Sequence, residues 1–339
     1  MTIFVSIAAY RDPELVPTVL DCLAKARHPD ELHIVVNWQH SGDEDISAIR
    51  DDPRVELIEF DARESQGACW ARAEVIRRYR PSDWFLQVDS HTRFAQDWDV
   101  RCVAAARATG SAKPVLSGYP PMYVPGTEFT GAGEPTHILF KDWTDDGVPA
   151  FDQDTIPGWR ELGRPVRSRF LAAGFLFAPG SFPLEVPYDP NIYFFGEEIT
   201  LSVRAYTWGY DLFHPTEVLA WHFYIREDRP RHWDDHDGSG DGEHWSVRER
   251  ASRRRVATKL RYPAIGRLSM GPVRTVADYC EYAGLDFLTQ TVTDDARAGR
   301  EPGAVREPGA GREPGAGRDQ GEPEPGATAQ ARPPALVHL

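Results

Sequence analysis

The chain has 339 residues, a formal net charge of −14 at pH 7 and four cysteines, with 41% hydrophobic and 27% charged residues. That length can hold one large domain or two, and the acidic balance argues against a nucleic-acid or anionic-membrane surface. Cys22, Cys69, Cys102 and Cys280 are scattered without a CxxC, which fits a reducing compartment better than a disulfide framework. No apolar run approaches the roughly 18 residues of a membrane span. The opening MTIFVSIAAYRDPE lacks the basic stretch of a signal peptide, so a cytoplasmic chain without a membrane partner is expected.

IFVSIA (3–8) reads as a strand. YRDP turns into a helix whose Leu15, Val19, Leu20 and Leu23 share a face. LHIVVNW (32–38), VELIEF (55–60) and WFLQV (84–88) read as three more strands, with a helix from about Ser65 to Tyr79 between the last two. Near-continuous apolar strands alternating with helices predict an α/β domain around a mostly parallel sheet covered on both faces. Ligands of such sheets bind beyond the carboxyl ends of the strands. Residues 114–180 loosen into loops rich in Pro and Gly, ending in FLAAGFLFAPGSF (170–182), a buried strand pair or a strand and turn. A helix is predicted over Glu197–Trp208, stopped by Gly209, then a strand over 218–227. The Asp- and His-dense stretch 227–246 reads as a mobile lid. REPGAV and two copies of REPGAG between Arg300 and Gly317 carry no core-forming residues, so 295–339 is expected to be a disordered tail. The expected organisation is a domain over 1–290, with a nucleotide-binding half (1–120) and a sugar and acceptor half (121–290).

The fourth strand ends in Asp89, Ser90, His91. An acid directly after a buried strand needs its charge compensated by solvent, a salt bridge, a helix N-terminus or a metal. Two residues apart in an extended segment, Asp89 and His91 share a face, and a carboxylate beside an imidazole suits a divalent cation. Gly67 opens a helix, where free N–H groups could meet an anion with Arg72 as a charged donor; an ordinary helix start with a surface Arg is the other reading. Glu197 and Glu198 begin a helix, where the dipole alone favours acids. His232, His236 and His244 could carry a second metal, although the surrounding Asp and Gly suit a solvated lid better.

The D-S-H, the GACWAR helix start, LAAGFLF, FFGEEITLSVRAYTWGYDLFHP and VLAWHFYIR occur in one order. In that order they resemble the GT-A glycosyltransferases, in particular the MAGG, WGGEN and G-H-V-F-R segments of the polypeptide GalNAc-transferases. The opening stretch from IFVSIAAYRDPE to HIVVNWQ (3–39) and MGPVRTVADYCEYAGLDF (270–287) are similar to the GlcNAc-transferase family of the cytoplasmic enzyme that modifies hydroxyproline on Skp1-type proteins. The resemblance covers about residues 3–287. It implies a GT-A fold and a metal held by Asp89, His91 and His222, where His222 alone would read as a core histidine. It places the donor against Ala8, Tyr10, Arg11, Asp61, Gly67, Arg72, Ala173 and Gly174. Glu197 matches the Glu of WGGEN, and FGEE in place of GGEN leaves the role of Glu198 open; Asp89, Glu197 and Glu198 are the expected catalytic acids. The implied activity is Mn²⁺- or Mg²⁺-dependent transfer of GlcNAc, or a related hexose, from a UDP-sugar to a hydroxyl of a peptide or protein, with retention. Other readings are a UDP-sugar hydrolase, transfer to a small molecule or glycan, and an inactive nucleotide-sugar sensor.

Overall fold

The computed structural model describes residues 1–303 except 128, 226–229, 232, 237 and 239–243. The apolar run after Thr2 forms β1 (Ile3–Tyr10), whose first five residues are all buried. Helix α1 (Leu15–Lys25), β2 (Leu32–His40), α2 (Ser47–Arg50), β3 (Val55–Asp61), α3 (Ala68–Ile76) and β4 (Trp84–Asp89) follow. These strands pair in parallel in the order β3-β2-β1-β4. The chain builds outward from β1 on one side, then returns to place β4 on the other. The gap between the carboxyl ends of β1 and β4 is therefore a topological switch point, where α/β sheets bind ligands.

β5 (Thr92–Phe94), α4 (Trp98–Ala108), β6 (Pro114–Ser117), β7 (Thr136–Trp143), β8 (Pro149–Thr155), β9 (Val166–Arg167) and β10 (Phe175–Pro179) come next. They are followed by α5 (Phe182–Glu185), α6 (Glu197–Thr207), β11 (Asp211–His214), β12 (Ala220–His222), α7 (Trp245–Arg261), α8 (Val276–Ala283) and α9 (Asp294–Arg297). One eight-stranded sheet runs β3-β2-β1-β4-β10-β6-β11-β9. β10 is antiparallel to both of its neighbours and β9 to β11, so the sheet is mostly parallel, as expected. It runs without a break from the first half of the chain into the second.

The two faces of β1 and β4 carry separate cores. Phe4 and Phe85 pack with Cys69 and Val75 of α3, while Ile3, Val5, Ile7, Leu86 and Val88 pack with α1 and α4 residues such as Leu15, Val19, Trp98 and Cys102. Each such side chain contributes roughly 1.5–3 kcal/mol on burial. On the α3 face the strands turn polar toward their carboxyl ends. Ser6 pairs in register with Gln87 and Ala8 with Asp89, so an apolar floor rises into a polar rim.

Several elements differ from the sequence reading. The helix expected over 65–79 begins only at Ala68, because Gly67 takes a φ of +104° and a Cβ there would meet the Tyr193 carbonyl. Of the two readings of 170–182, the strand and turn holds, as β10 followed by a turn before α5, and among the described residues of 218–227 the strand is limited to Ala220–His222. Other elements went unrecognised, among them α4, α8 and the two that follow. The β7–β8 hairpin turns through Gly147, whose N–H donates to the Thr144 carbonyl at 2.7 Å. Helix α7 buries only Glu249, Ser252, Val256 and Leu260, a stripe with two apolar residues that hydrophobic periodicity misses, and it takes up the end of the expected lid.

The tail was expected to begin at 295, yet α9 covers Asp294–Arg297. Ala296 is 1% exposed, the Arg169 side chain donates to the Arg300 carbonyl, and Arg167 N–H donates to Glu301 at 2.8 Å. The expectation for 304–339 lies outside the described residues. Truncation after residue 303 is expected to leave thermal melting unchanged. Truncation after 293 removes a buried side chain and several hydrogen bonds, and should lower the melting temperature by several degrees, on the order of 2–4 °C per kcal/mol lost. Equal melting of the two truncations, followed by circular dichroism, would place the boundary where the sequence put it.

Candidate functional site

At the carboxyl end of β4, Asp89 meets groups from five other parts of the chain. Arg72 of α3 donates from Nη2 to Asp89 Oδ1 at 2.8 Å. His222 of β12, 133 residues away in sequence, places Nε2 at 3.0 Å from Oδ2. His91, just past β4, places Nε2 at 3.8 Å from the same oxygen. Asp89 N–H donates to the Gly174 carbonyl at 3.3 Å, and Ala8 of β1 is its register partner. A Cβ at Gly174 would lie 3.0 Å from Asp89 Oδ2 and 3.5 Å from His222 Nε2, so glycine is what lets β10 start against this carboxylate. Burial pushes the Asp89 carboxyl up. The His222 hydrogen bond and the Arg72 charge more than reverse this and hold it well below the usual range.

One ligand atom each from Asp89, His91 and His222 lies within 4.8 Å of the others. His222 reaches the cluster because β12 pairs antiparallel with β5, His222 opposite Thr92, directly after the D-S-H. One carboxylate oxygen and two imidazole nitrogens fit a first-row divalent ion.

A residue that sequence reading missed completes this arrangement. Asp12, in the turn after β1, has a fully buried carboxylate whose Oδ2 lies 2.7 Å from His91 Nδ1. Ser90 Oγ donates to the same oxygen at 2.7 Å and Glu14 N–H donates to Oδ1 at 3.0 Å. A carboxylate on Nδ1 keeps the proton there and leaves Nε2 with its lone pair on the Asp89 side, as for histidines that ligate metals. In the sequence Asp12 stands out only as one of the residues Ala9 to Asp12 at the carboxyl end of the first strand, where ligands bind, with nothing to tie it to His91.

The two glutamates are buried in different settings. Glu197 pairs with Arg72 Nε at 2.8 Å, so Arg72 bridges Asp89 and Glu197; burial still raises the Glu197 carboxyl. Glu198 accepts from Ala173 N–H at 2.9 Å and from the Tyr119 hydroxyl. Burial pushes its pKa up to about 7, against those two donors. Ala173 O in turn accepts from Gln87 Nε2 at 2.8 Å. Glu198 thus fixes the Ala173–Gly174 backbone beside Asp89, and Tyr119 and Gln87 join the residues that sequence reading did not find.

Other expected contacts sit differently. Gly67 N–H donates to Ser65 Oγ at 3.3 Å and Ala68 N–H to the Tyr193 carbonyl at 2.9 Å, so the first amides of α3 are engaged within the protein. Asp61 lies at the end of the edge strand β3, where it forks onto Arg63 and caps the next turn. Tyr10 and Arg11 are held by Asp235 of the expected lid: the Tyr10 hydroxyl donates at 2.6 Å and Arg11 Nη1 reaches both carboxylate oxygens at 2.9 Å. His236 Nδ1 lies 3.2 Å from the Tyr193 hydroxyl, His244 caps α7, and His232 is outside the described residues. Among the described residues Asp89, His91 and His222 form the one such metal-ligating cluster.

A switch-point carboxylate flanked by two imidazoles, on this strand order, is a polar cluster where α/β sheets bind ligands and where a divalent ion could be held. The family profile described as "Glycosyltransferase (GlcNAc)" matches residues 2–53 and 46–267. The chain belongs to this GlcNAc glycosyltransferase family. Its fold is GT-A: a structure of GalNAc-T7 with UDP, GalNAc and Mn²⁺ superposes with a TM-score of 0.50 at 16% identity, covering 68% of this chain and 45% of that one. The S. aureus TarS 1-349 structure with UDP-GlcNAc has a TM-score of 0.43 at 14% identity, covering 79% and 68%. No curated protein sequence matches. No described helix is long and apolar enough to cross a membrane.

Two outcomes test the geometry. Asp12→Ala removes the acceptor on His91 Nδ1, and Mn²⁺ affinity measured by calorimetry should fall about 10–100-fold; unchanged affinity would reduce Asp12 to a packing role. Glu198 binds its proton more tightly in the folded chain than unfolded, so its stabilising contribution is complete below about pH 4.5 and is lost as pH rises through about 7. Glu198→Gln mimics the protonated form. Its melting temperature should gain on the wild type between pH 5 and 8, whereas a pH-independent gap would show that Glu198 stays ionised.

Proposed function

We propose that the chain transfers GlcNAc from UDP-GlcNAc to a hydroxyl of a peptide or protein, with a divalent ion held by Asp89, His91 and His222. The observation that carries this reading is the convergence of those three ligand atoms at the switch point of a GlcNAc glycosyltransferase. Two imidazoles favour Mn²⁺ over Mg²⁺, which prefers oxygen ligands. When bound, the ion neutralises charge on the departing diphosphate.

The chain's own residues supply the rest. Ala8, Tyr10 and Arg11 at the end of β1 and Asp61 on β3 line the side assigned to the nucleoside, with Tyr10 and Arg11 bonded to Asp235. Arg72 offers a buried cation that already spans Asp89 and Glu197, next to the position assigned to the diphosphate, with Gly67 at the start of its helix. Gly174 and Ala173 let the sugar approach the backbone, and Glu197 is assigned to its hydroxyls. Glu198 positions the Ala173 amide. Retention of anomeric configuration is proposed on the family resemblance alone.

The test is calorimetry with UDP-GlcNAc. Binding is expected with Mn²⁺ and little after chelation, and equal affinity in both would sink the metal assignment. His222→Ala should weaken metal-dependent donor binding and reduce turnover by about 10–100-fold while the chain stays folded. Normal affinity with a much lower melting temperature would make it a core histidine. UDP release with and without peptides separates transfer from hydrolysis.

A further inference from the structure

The segment following β6 supplies a third strand to the β5–β12 ribbon. His222 N–H donates to the Pro121 carbonyl at 2.9 Å and Tyr123 N–H donates to the His222 carbonyl at 3.1 Å. Met122 is therefore the parallel partner of His222. In this pairing the N–H and C=O of Met122 itself point away from β12. Among the described residues neither group takes a hydrogen bond, and Met122 is 52% exposed, so both stand unpaired along the side of the ribbon away from β12.

Three further observations describe this edge. Burial alternates along it: Met122 is 52% and Val124 39% exposed, while Tyr123 between them is 8% exposed. Tyr123 packs with Trp221, Phe223 and Ala95 on the far face, where Phe129 covers Trp221 edge-on at 5.0 Å. Paired residues project to the same face of a ribbon, so the exposed Met122 side chain stands on the same face as the His222 imidazole that meets Asp89.

We propose that this edge is the docking site of the acceptor, and that the acceptor is bound there as an extended polypeptide strand pairing with Met122. An unpaired backbone N–H and C=O next to each other are complemented by another backbone; a glycan or small alcohol offers no matching pair at that spacing. Met122 and Val124 add an apolar stripe for a side chain of the added strand. A residue paired opposite Met122 lies about two strand spacings, roughly 10 Å, from His222, and its side chain points to the face of the Asp89 cluster. This inference rests on the polypeptide reading of the acceptor given above and adds where and how the acceptor binds.

The experiment uses the full chain, UDP-GlcNAc, Mn²⁺ and a pooled library of short peptides carrying one central Ser, Thr or hydroxyproline, read by mass spectrometry. For a modified peptide, N-methylation at the one position whose N–H meets the Met122 carbonyl (the residue opposite Met122 in an antiparallel pairing, the next residue in a parallel one) should abolish transfer while N-methylation of the residues on either side of it does not, because alternate residues of a strand face opposite edges. Met122→Pro removes the N–H and should raise the peptide KM at least about tenfold, the loss expected from one or two backbone hydrogen bonds, with a smaller change in kcat. If Met122→Pro fails to fold, as its melting profile would show, the N-methyl series still decides. Peptides modified with no periodic effect of N-methylation would overturn the edge assignment and leave the acceptor reading standing. Modification of glycans or small alcohols but of no peptide would overturn both. A dimer of the wild type that Met122→Pro dissociates would assign the edge to a second copy of the chain.

Discussion

One carboxylate organises this protein. Asp89 sits at the end of an otherwise apolar strand, and its charge must be met where it lies. One oxygen takes Arg72 from α3 and the other takes His222 from β12, while its amide ties to Gly174 at the start of β10. Removing one partner of such a buried pair commonly costs about 3–5 kcal/mol, because the other charge is left uncompensated. The positions of a helix and two strands are thus linked through a single side chain, and any ligand of the site acts on the same joint.

The polar groups behind Asp89 extend that linkage into the second half of the sheet. Arg72 bridges to Glu197, and Glu198 reaches both Tyr119 and the Ala173 amide. Gln87 ties Ala173 O to the Tyr188 hydroxyl at 2.7 Å. A low-dielectric interior strengthens each of these contacts and penalises any left incomplete. Helix α6 is held by charges at its first turn as well as by Ile199, Leu201 and Val203 in the core, which explains why two acids begin a helix that is otherwise well buried.

Most of the parallel half was legible in the sequence, because strands buried on both faces are continuous apolar runs with little ambiguity. The D-S-H was legible too, as a charge that a strand end could not leave unanswered. Residues whose meaning depends on a distant partner were not. Asp12 is a turn acid until His91 is placed beside it, and Asp235 is one acid among many until it meets Tyr10 and Arg11. Tyr119 looked like part of a proline-rich loop. Helix α7 escaped because a helix held by buried Glu249 and Ser252 carries too little apolar signal, and Arg248 and Arg255 make its polar face resemble a solvated surface. The β7–β8 hairpin was obscured by exposed Lys141 and Asp142 side by side where the register of β7 shifts, and by exposed Asp152 and Asp154 on alternate positions of β8.

The direction of β10 has a consequence for how the chain can be divided. Because β10 runs against β4, its beginning rather than its end lies at the switch point, and Ala173 and Gly174 arrive there from the second half of the chain. A parallel strand in the same place would have delivered those residues to the opposite rim, about 17 Å away for five residues. A fragment ending near residue 120 would keep Asp89, His91 and Asp12 but lose the Gly174 carbonyl that accepts from the Asp89 amide, the imidazole that meets its carboxylate and the glutamate bonded to Arg72. The residues before and after position 120 therefore share one site on one sheet, and a cut polypeptide could regain it only by re-forming the β4–β10 seam.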